Sequence, residues 1–535
     1  MALPSTLQRS RSAVVYIKAE TTAGQIADAP VSGDAFGLTA VPVIAQAGNY
    51  ADTSEIGSEL VSVDRVLNYM DYSTFDLEFY AKPKQLVTAS TLSTTGVTLN
   101  GSIAVVAMGS TTGIAVGDTV TIAGASVAAI NGDQVVTAVV TDTSVTYAST
   151  ATGSVSGTVT VTKKTLNTPP EDVIFQNLFG GVKYDSVGGT YQAGESSKAN
   201  VTASNKTVVS YFLKNSINTV SVHSLQETDT NINYYVGKGA LPTSFSISLA
   251  KDGPVTMSVG FQANKVLYAG TAEVDSAPSG NGAGETITLS GPKRYASSTM
   301  TAGDVMWFES PESQGTPFKI ISNDGATTKK SGLEVTAVSG ATITTGSATD
   351  SPAAAYAADD LIVPDLPAPA CDTTTTIDQR SVQVFMTDEV TGTGMGYTGA
   401  TNTDLFHADN AIDVTAVSFD FDRSITTPGL SEMTGDEFPP ASYVINEPTV
   451  TGSMSLLLRP KDFHFMNSLR DEPKRSIGVR IGTVNGKIIE LACASAHFEV
   501  PSVAEADGAT SIDLSFTVVR GQDCDDADKF FLRYR

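Results

Sequence analysis

Most of the chain alternates between apolar and polar residues with a period of two. Such alternation, rich in β-branched residues and interrupted by Gly, Asn, Asp or Pro, predicts β-strands with one buried face. The clearest stretches are 119–122, 244–249, 255–261, 414–421, 449–458 and 512–519. Helical periodicity is confined to about 170–180 and 461–470. The pattern therefore predicts an all-β protein containing several sandwiches or barrels.

The stretch 88–165 contains almost no charge, 268–370 is similarly rich in Gly, Ala, Ser and Thr, and the two resemble each other. Both carry a Gly-Asp turn before a hydrophobic strand, at Asp118 and at Asp304, and both continue with Val-Thr-Ala-Val. This order describes a small Ig-like or SH3-like β module. We therefore expect two small modules inserted into a larger frame, with long hairpins of the frame itself as the alternative.

The remaining chain divides into a first domain, 1–87 plus 166–267, and a second domain, 371–535. Short patterns recur in the two domains. They are Pro242-Thr-Ser-Phe-Ser-Ile against Pro440-Ala-Ser-Tyr-Val-Ile, and Val220-Ser-Val against Val417-Ser-Phe. The repetition predicts a duplicated β-sandwich frame, although two β-rich segments can also match by chance.

The charge balance argues against a nucleic-acid-binding surface. Acidic residues number 57 and basic residues 33, giving a net charge of −24, and no basic run occurs. Binding to phosphates requires clustered Lys and Arg. Apolar stretches are too short to span a bilayer, and the N-terminus lacks the apolar core of a signal peptide. Three cysteines, far apart in the sequence, indicate a reducing compartment.

Motifs for chemistry are weak. Gly394-Met-Gly-Tyr-Thr-Gly fits a dinucleotide fingerprint, but no amphipathic helix follows it. The acidic run that begins at Asp523 lacks the Gly and Glu of a calcium loop. No two of the four histidines have a metal-ligand spacing. We expect no enzymatic activity, cofactor or metal, although a pair of glycosidase carboxylates remains an alternative.

Several segments resemble the tail tube proteins of long-tailed bacteriophages. The first is Lys18-Ala-Glu-Thr-Thr-Ala-Gly after a hydrophobic strand, followed by Ala29-Pro30 and 36–42. A second comprises 55–65 and Phe75-Asp-Leu-Glu-Phe. The C-terminal segments are 437–443, 447–456, 487–493 and 513–516. Together these segments and their order extend over more than half of the chain, and both inserts lie outside them.

This resemblance implies a structural virion protein, a siphophage-type major tail protein, assembled in the cytoplasm of the host bacterium. Inserts that project outward would leave little room for a contractile sheath, so we expect the tail to be non-contractile. In that family, β-sandwich subunits form rings, and rings stack into a hollow tube that conducts DNA into the host without binding it specifically. A duplicated frame implies a homotrimeric, pseudo-hexameric ring, with a hexamer as the alternative. Expected partners are further copies of the chain, the tape measure protein and the tail terminator.

An acidic lumen would repel phosphates and let the duplex slide. The candidate lumen-facing acids are Asp413, Asp420, Asp422, Glu490 and Asp513, on predicted C-terminal strands. Ordinary solubility on an outer face is the alternative for them. A second interpretation of the whole chain is a phage decoration or adhesin protein whose inserts bind carbohydrate.

Overall fold

The structure, a computed structural model, describes the chain as a series of separate stretches. The described residues are 13–21, 23, 30–53, 64–82, 87–112, 114, 116, 119–166, 169, 171–185, 208–214, 218–227, 232–250, 254–269, 272–275, 286–290, 318–322, 328–333, 335–339, 342–345, 357–358, 360–368, 382–390, 404–426, 444–457, 474–483, 487–499, 501–506, 509–519 and 530–534. The predicted helix at 461–470 lies outside them.

The described residues form an all-β fold with one short α-helix, as the sequence predicts. The strands are β1 (Ala13–Ala19), β2 (Ala35–Phe36), β3 (Gly48–Thr53), β4 (Asp64–Met70), β5 (Ser73–Tyr80), β6 (Val87–Leu99), β7 (Ile103–Met108), β8 (Thr119–Ala123), β9 (Gly132–Val140), β10 (Ser144–Ala148), β11 (Thr160–Leu166), β12 (Gly180–Asp185), β13 (Val208–Leu213), β14 (Val220–Glu227), β15 (Ile232–Ala250), β16 (Thr256–Ala263), β17 (Lys265–Ala269), β18 (Ala272–Val274), β19 (Thr286–Ser290), β20 (Phe318–Ile321), β21 (Thr328–Leu333), β22 (Val335–Ser339), β23 (Thr342–Thr345), β24 (Leu361–Pro364), β25 (Val382–Asp388), β26 (Ala411–Ile412), β27 (Val414–Asp422), β28 (Ile425–Thr426), β29 (Val444–Ile445), β30 (Thr449–Leu457), β31 (Lys474–Ile481), β32 (Ile489–Phe498), β33 (Ser502–Ala506), β34 (Ala509–Val518) and β35 (Phe531–Tyr534).

The frame is a two-layer sandwich around one apolar core. The inner layer contains seven antiparallel strands in the order β5-β16-β15-β27-β30-β34-β33. The outer layer contains β1, β14, the N-terminal part of β15 and β17, together with β25, β31, β32 and β35. Apolar side chains from both layers meet in a single buried cluster, which includes Val15, Phe245, Phe419 and Leu491. This cluster supplies most of the apolar burial that stabilises the frame.

The two halves of the frame repeat one plan of strand pairing. In the first half the pairs are β1–β2, β1–β14, β14–β15, β15–β16, β15–β17 and β16–β5. In the second half the corresponding pairs are β25–β26, β25–β31, β31–β32, β33–β34, β32–β35 and β34–β30. All are antiparallel and keep the same chain order, with β32 and β33 together corresponding to the long β15. This recurrence favours a duplicated frame.

The recurring sequence patterns do not mark this repeat. Val220-Ser-Val lies in β14, whose counterpart by pairing is β31. Val417-Ser-Phe lies in β27, which has no counterpart among the repeated pairs. The predicted match between these two segments is therefore wrong, because any two strands with a period of two resemble each other over three residues. The other pattern involves 440–443, which lies outside the described residues.

The strands from β6 to β11 close into a six-stranded barrel, in the order β10-β7-β6-β11-β8-β9. Its own apolar core includes Val106, Ile122, Val145 and Val161, and it shares no residue with the core of the frame. The pairing of β6 with β11, from Val87 against Leu166 onward, forms the ribbon on which the barrel is carried. The barrel occupies the range of the first predicted insert, while the division into domains stays a prediction.

The strands from β18 to β24 form a seven-stranded sheet, in the range of the second predicted insert. Unlike the barrel, this sheet shares a core with the frame. Tyr234, Val236 and Leu267 of β15 and β17 belong to the same buried cluster as residues of the seven-stranded sheet, such as Ile287 and Phe318. The seven-stranded sheet therefore covers the outer layer of the first half, on the side away from the frame core.

Helix α1 (Asp172–Phe179) confirms the first predicted helix and buries Phe175, Leu178 and Phe179 in the core of the frame. Gly180 ends it in a left-handed conformation, at φ 85°, which glycine adopts without a steric penalty. Arg423, at the end of β27, donates from Nη1 to the carbonyl of Leu178 at 2.9 Å. The second half is thus tied to the end of the helix in the first half.

Candidate functional site

The inner layer presents a continuous hydrophilic surface on the side away from the core, which we call the polar face. Along β5, β16, the C-terminal part of β15, β27, β30 and β34, core residues alternate with residues that are mostly polar and exposed or half-buried, as in the pattern of β5. The polar face consists of Thr74, Asp76, Glu78, Tyr80, Ser244, Ser246, Ser248, Thr256, Ser258, Gly260, Gln262, Ser418, Asp420, Asp422, Thr449, Thr451, Ser453, Ser455, Asp513, Ser515 and Thr517. Five of these residues are acids and none is Lys or Arg.

The residues of the polar face stand in rows across the strands. One row runs from Glu78 on β5 through Ser258 and Ser246 to Asp420 on β27, and continues through Thr451 to Thr517. Because neighbouring strands lie about 4.8 Å apart, Glu78 and Asp420 are separated by about 14 Å along this row. Along this row, the two acids are thus separated by the serines of two intervening strands.

Hydrogen bonds hold the short side chains of this surface in place. Ser455 donates to a carboxylate oxygen of Asp513 at 2.6 Å, and the hydroxyls of Ser418 and Ser453 lie 2.9 Å apart. Partial burial raises the pKa of Asp420, while a hydrogen bond with Ser418 acts in the opposite direction. The face is therefore acidic and well ordered.

Two glycines allow the inner layer to pack closely. Gly260 lies on the polar face between Ser244 and Asp76, and a Cβ there would collide with the Ser244 side chain. Gly452 lies on the core side of β30, between Phe419 on β27 and Phe516 on β34. The rings of these two residues meet edge to face, with 5.4 Å between their centroids. A Cβ at Gly260 would displace the Ser244 hydroxyl, whereas a Cβ at Gly452 would meet the Phe516 ring and the backbone oxygen of Ser418.

Three of the five acids predicted to face a lumen lie on the polar face: Asp420, Asp422 and Asp513. Asp413 is exposed but lies in the one-residue connection between β26 and β27. It is therefore near the polar face without being one of the alternating residues of a strand.

The expectation for Glu490 requires a correction. Glu490 lies on β32 in the outer layer, its side chain has no exposed area, and it therefore cannot face a lumen. Its carboxylate accepts from Arg480 Nε at 2.8 Å and from Arg533 Nε at 2.6 Å. Phe406, from the segment before β26, lies over both guanidinium groups. Glu490 is the centre of a buried ion cluster that links β31, β32 and β35.

Two acids of the polar face, Asp76 and Glu78 on β5, are not among the acids predicted to face a lumen. The alternating segment Phe75-Asp-Leu-Glu-Phe contains the signal that identifies them, since Phe75, Leu77 and Phe79 are buried and the acids between them are exposed. All five acids predicted to face a lumen belong to C-terminal strands, whereas the first half contributes acids to the polar face through β5.

Within the described part of the chain, no cluster of three or more His, Cys, Asp or Glu residues is arranged to hold a metal ion. No helix there is long and apolar enough to cross a membrane. His223 is fully buried beside Tyr234, with 2.5 Å between Nδ1 and the phenol oxygen. Desolvation by burial, with a smaller contribution from the charge of Lys18, lowers the pKa of His223 to about 3.

Comparison of the chain with protein-family models finds no match, and comparison with curated proteins finds none either. The functional interpretation therefore rests on the polar face and on the repeated frame.

Proposed function

We propose that this protein is a structural subunit that forms rings, and that stacked rings make the hollow tail tube of a non-contractile bacteriophage tail. The polar face would line the lumen and conduct DNA during ejection. The observation that carries this proposal is the composition of that face: five acids, short hydroxyl side chains, and no basic residue across six strands.

The electrostatics of the polar face suit a conduit. Nonspecific affinity for DNA comes from Lys and Arg that neutralise phosphates and release counterions. A wall of carboxylates and hydroxyls offers no such contact, and its negative potential keeps the duplex away from the surface. Serine and threonine contribute little side-chain bulk, so they leave the passage wide. A net charge of −24 for the chain agrees with this role.

The arrangement of the layers also supports the proposal. The seven-stranded sheet covers the outer layer, whereas the polar face belongs to the inner layer, so the two lie on opposite sides of the sandwich. Within the chain, β15 of the first half pairs directly with β27 of the second. Repeating this half-to-half junction between chains would extend the inner layer around a closed ring, and three chains would give six similar segments.

Electron microscopy of the purified chain tests the proposal. We expect hollow rings or tubes with three-fold symmetry, and electrophoresis with added duplex DNA should show no binding. Replacing Glu78, Asp420 and Asp513 together with Lys should leave the rings intact and make them bind DNA in a salt-dependent manner. Compact particles without a central hole, at high protein concentration, would contradict the proposal.

A phage decoration or adhesin protein is the second candidate. The observation that favours it is the separate core of the barrel, which makes the barrel resemble a display module on a two-stranded ribbon. Binding of the isolated barrel to bacterial surface glycans, together with failure of the full chain to form rings, would support this candidate over a tail tube.

A further inference from the structure

In the pairing plan that the two halves share, the first half has no inner-layer strand that corresponds to β27. In the second half, β27 stands between β26 and β30 in the sequence and pairs with both β30 and β15. The corresponding position of the first half, between β2 and β5, is occupied by the hairpin of β3 and β4. Among the described strands, this hairpin pairs only with itself.

Hydrogen bonds of the Gln46 side chain hold the two ends of the hairpin. Gln46 donates from Nε2 to the carbonyls of Asp71 and Asn264, at 2.9 and 3.0 Å, and its Oε1 accepts from Val266 N at 3.1 Å. These bonds attach both ends of the hairpin to the turn between β16 and β17. Beyond these bonds, a lone two-stranded hairpin is at best marginally stable in water.

The other feature of the contact is the edge of the inner layer that β33 forms, at the end of the layer opposite β5. Among the described strands, β33 pairs with β34 alone. Val503 of β33 stands opposite Ile512, which is buried in the core, yet Val503 is 63% exposed. An apolar residue on the core side of an unpaired edge strand marks a place where another strand can be added. By the repeated plan, β33 corresponds to the part of β15 that pairs with β27.

We propose that the β3–β4 hairpin of one copy pairs with the β33 edge of the next copy, where it takes the place that β27 takes at the junction within the chain. This assignment rests on the proposed ring function and specifies which segments join neighbouring copies. The contact is heterologous, since a hairpin meets an edge strand rather than its own counterpart. Repetition of such a contact closes a ring instead of ending at a dimer.

Two variants separate the two sides of this contact. Val503→Lys places a charge on the edge strand, which opposes further pairing. In the second variant a two-residue Asn-Gly turn replaces residues 49–69, because Gly48 and Met70 already face each other across the hairpin. Val140→Lys, at a 55% exposed valine of the barrel, is the matched control. Circular dichroism and thermal unfolding verify that each variant is folded.

Sedimentation then measures assembly. We expect the unmodified chain and the Val140→Lys control to form rings, and each of the two interface variants to remain monomeric. Mixed together, the two variants should form a dimer and nothing larger, because only one hairpin and one intact β33 edge remain. Rings formed by either variant would overturn the hairpin assignment and leave the ring function standing. Absence of rings from the unmodified chain would overturn both.

Discussion

Arg533 Nε donates to a carboxylate oxygen of Glu490 at 2.6 Å, and neither side chain has any exposed area. Arg480 donates to the other carboxylate oxygen, and the ring of Phe406 covers both guanidinium groups at 4.9 and 5.3 Å. One buried carboxylate therefore pairs with two guanidinium groups from different strands, that of Arg533 fully buried and that of Arg480 half-buried. The outer layer of the second half depends on this pairing.

Replacing Glu490 with Gln should lower the free energy of unfolding by about 3–5 kcal/mol, since it removes the carboxylate that pairs with the fully buried guanidinium group of Arg533. Urea unfolding measures this loss. The matched control is Asp422→Asn, which removes an equal charge from the exposed polar face and should change stability by less than about 1 kcal/mol. Similar small effects of both substitutions would contradict the structural role of the cluster.

Gly452→Ala should destabilise the frame by about 1–3 kcal/mol, because the added methyl group overpacks the contact between Phe419 and Phe516. The matched control is Gly96→Ala in β6 of the barrel, where the added methyl group would have no other atom within 4 Å. The control should be neutral or slightly stabilising. Equal denaturation midpoints for the two variants would show that Gly452 is not required for packing.

His223 should make the protein acid-sensitive. Its pKa is lowered to about 3 in the folded chain, so the unfolded chain binds more protons below its ordinary value of 6.5. The stability that neutral His223 contributes is therefore complete above about pH 6.5 and is lost as the pH falls toward 3. His223→Gln should flatten the decline of the melting temperature in this window, whereas His497→Gln, at an exposed position, should not. Parallel declines in both variants would assign the acid sensitivity to other groups.

Deletion of the barrel and deletion of the seven-stranded sheet should affect the stability of the frame differently. Replacing residues 94–159 with a two-residue turn deletes most of the barrel core and keeps the ribbon, so the melting temperature of the frame should stay unchanged. Deleting 272–364 exposes Tyr234, Val236 and Leu267 and should destabilise the frame and promote aggregation. Calorimetry of both deletions tests this contrast, and equal tolerance would contradict the shared core.

Strand positions and the all-β class could be predicted from the sequence because alternation is a local property. The layer to which a strand belongs is not local, and Glu490 illustrates the difference. All but one residue of β32 are buried, so its sequence gives no sign of which face is covered. Its partner Arg533 is 43 residues away in the chain. Asp76 and Glu78, in contrast, lie in a strand with strict alternation and could have been found.

Cryo-electron microscopy of assembled rings, at a resolution that traces the strands, determines whether the polar face lines a lumen. Glu78, Asp420 and Asp513 should point into a central hole, with the barrel and the seven-stranded sheet outside the inner layer. Rings whose hole is lined by other residues, or a polar face buried between copies, would contradict this arrangement.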